Sequence, residues 1–184
     1  MFDQKIFDHK MKVTLDRLSK ELASLSTGRA NSKMLDLIKV DVYGQKMPIN
    51  QLATITTPEP RMINIQVWDL NNVALIDSSI RKSELGLNPQ IDGQVIRLPI
   101  PSLTEERRNE IRKMINSMGE KYKVAIRTVR REANDQLKSL LKDKNISEDD
   151  EKKNEKIIQK ITDDNIKNID ERIVAKEKEI MTIW

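Results

Sequence analysis

The chain has 184 residues, 34% of them charged and 3% aromatic, with no cysteine and a formal net charge of +4. So few aromatic side chains exclude a bulky core and fit thin helical bundles plus a small second unit. The lack of cysteine excludes a disulfide framework and a thiolate zinc site and fits a reducing compartment. No run of eighteen apolar residues occurs, so no membrane span is expected. The start, Met1-Phe2-Asp3-Gln4-Lys5, lacks an apolar signal core, and the cytoplasm is the expected location.

Phe7, Met11, Leu15, Leu18, Leu22 and Leu25 repeat every three or four residues, a helical seam. That helix is expected to stop near Gly28. His9 lies on it and is expected at the surface. The region from 31 to 103 carries seven basic and seven acidic residues and reads as a different, neutral unit. Leu37 to Tyr43 alternates as a strand, Gly44-Gln45 turns the chain, and Lys46 to Ile49 returns. Ala53 to Thr57 and Met62 to Trp68 are β-rich runs joined by Pro58-Glu59-Pro60-Arg61. Trp68 ends its strand and is expected in the core. Asn71 or Asn72 is expected to cap a short helix reaching about Leu85, stopped by Gly86. A short strand over Pro89 to Asp92 and a clearer one over Val95 to Leu98 complete the unit.

From Thr104 to Lys144 the chain has no proline, one glycine, twelve Lys/Arg and seven acids. Capped by Thr104, this segment predicts a single helix roughly 60 Å long. At 100° per residue, Ile111, Ile115, Met118, Tyr122, Val129, Ala133 and Leu140 form an expected packing stripe. Lys113, Arg127, Arg131, Lys138 and Lys142 fall opposite, flanked by Lys123 and Arg130. Two readings of this ridge stay open on pattern alone: an ordinary solvated face, or a surface that meets the phosphates of a nucleic acid. Asn145 and Ile146 interrupt. Ser147, with Asp150 three residues on, is expected to cap a third helix, and Glu148, Asp149, Asp150 and Glu151 suit its first turn through the helix dipole rather than a metal. That helix is expected to bury Ile158, Ile161, Ile169, Ile173 and Ile180, and Trp184 is expected to pack loosely on the bundle. The expected architecture is α+β: an elongated three-helix bundle from residues 1–30 and 104–184, with a small β/α/β domain, 31–103, inserted. Hinges are expected near 30–33 and 99–104, at Ala30, Pro99, Pro101 and Thr104, because few contacts cross such a boundary.

Catalytic signals are absent. The five glycines are too scattered for a phosphate-cradling loop. One histidine without cysteine makes neither a conventional zinc site nor a nucleophilic pair. No enzyme, cofactor or metal is expected.

Several runs then line up with one family: Ser26-Thr27-Gly28-Arg29-Ala30, Gln51-Leu52-Ala53, Leu85-Gly86-Leu87-Asn88-Pro89, Ile96-Arg97-Leu98-Pro99-Ile100-Pro101 and Leu103-Thr104-Glu105-Glu106-Arg107-Arg108. Ile126-Arg127-Thr128-Val129-Arg130-Arg131-Glu132-Ala133-Asn134-Asp135 and Leu141-Lys142-Asp143-Lys144-Asn145-Ile146-Ser147-Glu148-Asp149-Asp150 follow. End to end, the chain resembles the bacterial ribosome recycling factors. The resemblance implies an L-shaped, tRNA-like outline, and binding of a monomer to the 70S ribosome between its subunits after termination. It implies contact with large-subunit ribosomal RNA and subunit splitting driven by elongation factor G with GTP. It places Arg127 and Arg130 on the RNA-binding face, with Arg131, Arg29 and Lys123 as further expected contacts. Members commonly carry a basic residue where this chain has Ser26, so Ser26 is not among the expected contacts. A holdase chaperone, the competing class, needs exposed apolar area on the bundle; a ribosome-free RNA adaptor is a third.

Overall fold

The computed structural model describes residues 2–25 and 27–182; Ser26 and Trp184 lie outside the described residues. The chain divides into two compact units, Met1–Lys20 with Glu110–Trp184, and Glu21–Asn109. The architecture is α+β, a long helical hairpin joined by a third helix, plus a small sheet domain.

The helical unit is made from most of α1 (Gln4–Ser24), most of α3 (Glu105–Lys142) and all of α4 (Glu148–Met181), while the short α2 (Val73–Lys82) belongs to the sheet unit. Helix α1 buries Phe7, Met11, Leu15, Leu18 and Leu22 as the spacing predicts, but ends at Ser24, short of Gly28. Thr104 caps α3, its hydroxyl accepting from the Arg107 N–H at 3.2 Å. At 38 residues α3 is roughly 57 Å long. It buries Ile111, Ile115, Gly119, Tyr122, Ile126, Ala133 and Leu137. The expected stripe is therefore corrected: Met118, Val129 and Leu140 are half-buried at its margin, and Gly119, Ile126 and Leu137 lie at its centre. These positions repeat by fours and threes, the spacing that keeps one seam facing two neighbours.

Helix α3 ends in a Schellman arrangement. The Asn145 N–H donates to the Leu140 carbonyl and the Lys144 N–H to the Leu141 carbonyl, with Lys144 at φ 57° in the left-handed region. Ser147 then opens α4 with a capping box: its hydroxyl accepts from the Asp150 N–H, and the Asp150 carboxylate accepts from the Ser147 N–H. Helix α4 buries Ile158, Ile169, Ile173 and Ile180, each stabilising by about 1.5–3 kcal/mol. Ile161 is only half-buried. Between these isoleucines the helix also buries Thr162, Asn165 and Lys176. Polar groups in such places need partners. The Thr162 hydroxyl donates to the Ile158 carbonyl at 2.8 Å and the Asn165 amide to the Ile161 carbonyl at 2.7 Å. Across to α1, the Arg172 guanidinium donates to the Leu15 carbonyl at 3.1 Å and to the Ser19 hydroxyl.

The second unit holds a hairpin, β1 (Lys39–Val42) and β2 (Gln45–Pro48), turned through Tyr43 and Gly44, both at positive φ as a two-residue primed turn requires. Its four-stranded antiparallel sheet runs in the order β3 (Ala53–Glu59), β4 (Met62–Val67), β6 (Val95–Pro99), β5 (Gln90–Asp92). Ile65 opposes Ile55 and Ile96, and Ile63 opposes Leu98, so one face is a continuous apolar layer. Helix α2 adds Val73, Ile76 and Ile80 to the same core. Two expectations need correction. The cap of this region is Asp69, whose carboxylate accepts from the Asn71 N–H and starts a short 3-10 turn; Asn72 is buried and makes no side-chain cap. Trp68 is not in the core: it is 60% exposed, and its indole N–H donates to the Thr54 hydroxyl. Val67 points inward, so alternation along the strand sends residue 68 outward.

Candidate nucleic-acid interface

The helical phase of α3 separates packing from charge. Lys113, Arg127, Arg131, Lys138 and Lys142 are all exposed. Arg127 and Arg131 make no ion pair with any described residue. A guanidinium held on a rigid helix beyond ion-pair distance of the described carboxylates keeps its planar fork open for phosphate. Arg130 lies at the edge of the seam, half-buried, with Nη1 3.4 Å from Gln159 Oε1 on α4. The structure thus brings Arg127, Arg130 and Arg131 together over little more than one turn.

Lys123 is different. Only 17% of its side chain is exposed, and its ammonium lies 2.6 Å from Asp170 and 3.3 Å from Glu120. The hydrogen bond to Asp170 raises its pKa above the ordinary lysine value, against burial, with Glu120 helping. Its charge is already matched by carboxylates of the protein. The pair with Asp170 makes Lys123 a tie between α3 and α4.

Arg29 is exposed but belongs to the other unit, beside the buried Thr27. Of the expected hinge residues, Ala30 donates its N–H to the Pro60 carbonyl at 2.7 Å. Pro99 ends β6 opposite Met62, and the next residue, Ile100, donates to the Arg61 carbonyl. Both chain crossings are thus fastened to the turn between β3 and β4. Pro101 is exposed, and Thr104 serves as the α3 cap. Sequence reasoning missed this double fastening, since nothing in residues 58–61 announces a partner.

Among the described residues no group of three or more His, Cys, Asp or Glu side chains is arranged to hold a metal ion. No described helix is long and apolar enough to cross a membrane. Asp150 has its pKa lowered by the Ser147 hydroxyl, then by the Ser147 N–H and Lys153, which makes it a capping carboxylate.

Comparison with known proteins gives one result throughout. A family model described as ribosome recycling factor matches residues 18–181. The ribosome-recycling factor of Zymomonas mobilis is 49% identical over 180 residues, covering 98% of this chain and 97% of that protein. That of Syntrophomonas wolfei is 54% identical over 176 residues, covering 96% and 95%. A solution structure of the ribosome recycling factor superposes with a TM-score of 0.77 at 44% identity, over 97% of this chain and 95% of the other. The T. thermophilus ribosome recycling factor, bound with E. coli elongation factor G to the E. coli post-termination complex, superposes with a TM-score of 0.63 at 44% identity, over 97% and 96%. Sequence and fold agree over nearly the full length of both partners in each comparison, and the chain belongs to the ribosome recycling factor family.

Proposed function

We propose that this chain binds the post-termination ribosome in the space between its subunits and, with elongation factor G and GTP, splits it and frees it from the messenger for another round. The observation that carries the RNA-binding part is the pair Arg127 and Arg131, exposed on the outer side of α3 and without an acidic partner among the described residues. Aromatic residues are too scarce to build stacking platforms for single strands. Recognition then falls on the shape and backbone of folded large-subunit RNA, for which arginine is suited. A long helix fixed by two neighbours transmits force better than a loop.

The neutral sheet unit acts as the lobe through which the partner pushes, swinging about its two chain crossings. The protein acts as a monomer, and GTP is hydrolysed by elongation factor G. No phosphate-cradling loop occurs in the sequence, and the chain alone supplies no turnover. Among the described residues, the exposed large apolar side chains of α1, α3 and α4, Ile6, Met114, Val124, Val174 and Met181, are dispersed, with no two on one helix within a turn. That disfavours a client-gripping chaperone.

The test is direct. Post-termination ribosomes are mixed with this protein, elongation factor G and GTP, and subunit release is followed by light scattering. Free subunits are expected only when all three are present; ribosomes that stay whole would overturn the proposal.

A further inference from the structure

The face of α4 that borders α3 changes the sign of its charge along its length. Gln159 looks toward α3, since its side-chain oxygen meets Arg130. Counting from Gln159 in helical steps of three and four, the same strip carries Lys152 and Lys156 on one side and Asp163, Asp170 and Glu177 on the other. The acidic half is engaged. Asp163 accepts from the Gln159 amide at 2.8 Å, Asp170 holds Lys123 at 2.6 Å, and Glu177 faces Arg112 at 3.9 Å and accepts from the Asn116 amide. At Asp170 and Glu177, carboxylates of α4 thus meet the α3 cations Lys123 and Arg112.

The basic half does the opposite. Lys152 and Lys156 are exposed and form no ion pair with a described residue. The helices are antiparallel, with Arg130 at Gln159 and Lys123 at Asp170, so Lys156 comes level with Asn134, and Lys152 with Lys138, to within a turn. From Lys152 to Lys160 the helix holds four lysines and one acid, the half-buried Glu155. Half-buried Glu151 and the exposed Glu148, Asp149 and Asp150 form the first turn, where the helix dipole favours them. Asn134, between Arg130 and Lys138, has its side-chain oxygen buried with no hydrogen-bond partner among the described residues.

We infer that the RNA-binding surface is a groove with two walls, Arg127, Arg131 and Lys138 on α3 and Lys152 and Lys156 on α4. It is confined to the half of the helix pair near the α3–α4 turn, because in the other half Asp170 and Glu177 of α4 face Lys123 and Arg112. The ligand is the phosphate backbone of folded RNA, entering between the helices rather than along one of them. This rests on the reading of the chain as a large-subunit RNA binder.

The experiment measures the affinity of the full chain for isolated large ribosomal subunits between about 50 and 200 mM salt, the range in which phosphate contacts declare themselves. Lys152→Ala/Lys156→Ala is expected to flatten the log–log salt dependence by about 1–2, close to one for each phosphate no longer neutralised. Thermal unfolding should stay unchanged, since both side chains are exposed. Lys123→Gln is expected to leave the slope unaltered. If Lys152→Ala/Lys156→Ala keeps the wild-type slope while Arg127→Ala/Arg131→Ala flattens it, the second wall is wrong and the function survives. If Lys123→Gln flattens the slope as well, the confinement to one half is wrong. If Arg127→Ala/Arg131→Ala also leaves the slope untouched, the RNA-binding reading falls, and this inference with it.

Discussion

Gly119→Ala probes a close approach of α3 to α4. A Cβ on Gly119 would lie 2.9 Å from Ile173 Cγ1 and 3.1 Å from its Cδ1. Comfortable carbon contacts begin near 3.5 Å, so the overlap is about half an ångström at both atoms. Cγ1 is one bond from the Ile173 Cβ, and a β-branched side chain in a helix has one strongly preferred χ1 rotamer. Relief therefore requires the helices to part, and overpacking of this kind costs about 1–3 kcal/mol. Against it stands the gain of about 1 kcal/mol from replacing glycine by alanine inside a helix. The expected net loss is about 0–2 kcal/mol, a fall in Tm of up to several degrees for a chain of this length. Chemical denaturation checks it. A double-mutant cycle with Ile173→Ala isolates the contact: the two substitutions together should cost less than their sum by about 0.5–3 kcal/mol. A Gly119→Ala variant more stable than the parent, with no coupling to position 173, would refute the reasoning.

Arg130→Ala should weaken large-subunit binding by roughly tenfold, the scale of one charge-assisted hydrogen bond, while denaturation shifts by less than about 1 kcal/mol. Equal loss in both assays would make Arg130 a structural residue. Shortening the 99–104 crossing should preserve binding and abolish subunit splitting; unimpaired splitting would remove the swinging lobe from the mechanism. Ser147→Ala should cost about 0.5–2 kcal/mol at pH 7 through loss of the cap. The Asp150 pKa is lowered in the fold, so its contribution is complete above the ordinary aspartate value of about 3.9 and disappears as pH falls through the lowered one. The stability gap between Ser147→Ala and the parent should therefore narrow in acid, and a gap independent of pH would contradict the assigned hydrogen bonds.

Much of the fold is legible because local chemistry and tertiary contact agree. The Thr104 cap, the Ser147–Asp150 capping box and the α1 seam all depend on residues within a turn or two of each other. What the sequence hides depends on the neighbour. The stripe of α3 must serve α1 and α4 together, so its centre lies at Gly119, Ile126 and Leu137 and not at Met118 and Leu140. Composition makes a tryptophan look like core, but strand parity decided Trp68. On α3, the exposed Arg127 and Arg131 were readable from helical phase alone. Lys123 was not, because the carboxylate that neutralises it is 47 positions away on another helix. Lys152 and Lys156 pass for ordinary solvated lysines until the antiparallel register sets them near Lys138.

The central claim is that the outer arginines of α3 dock this chain on the ribosome and that force comes from a partner. Its most direct test is the splitting reaction with Arg127→Glu/Arg131→Glu, titrated against the parent chain at fixed elongation factor G and GTP. The variant is expected to need at least about tenfold more protein for half-maximal subunit release, the cost of roughly one charged phosphate contact, with an unchanged fold by circular dichroism. Release at the parent's concentrations would contradict the claim.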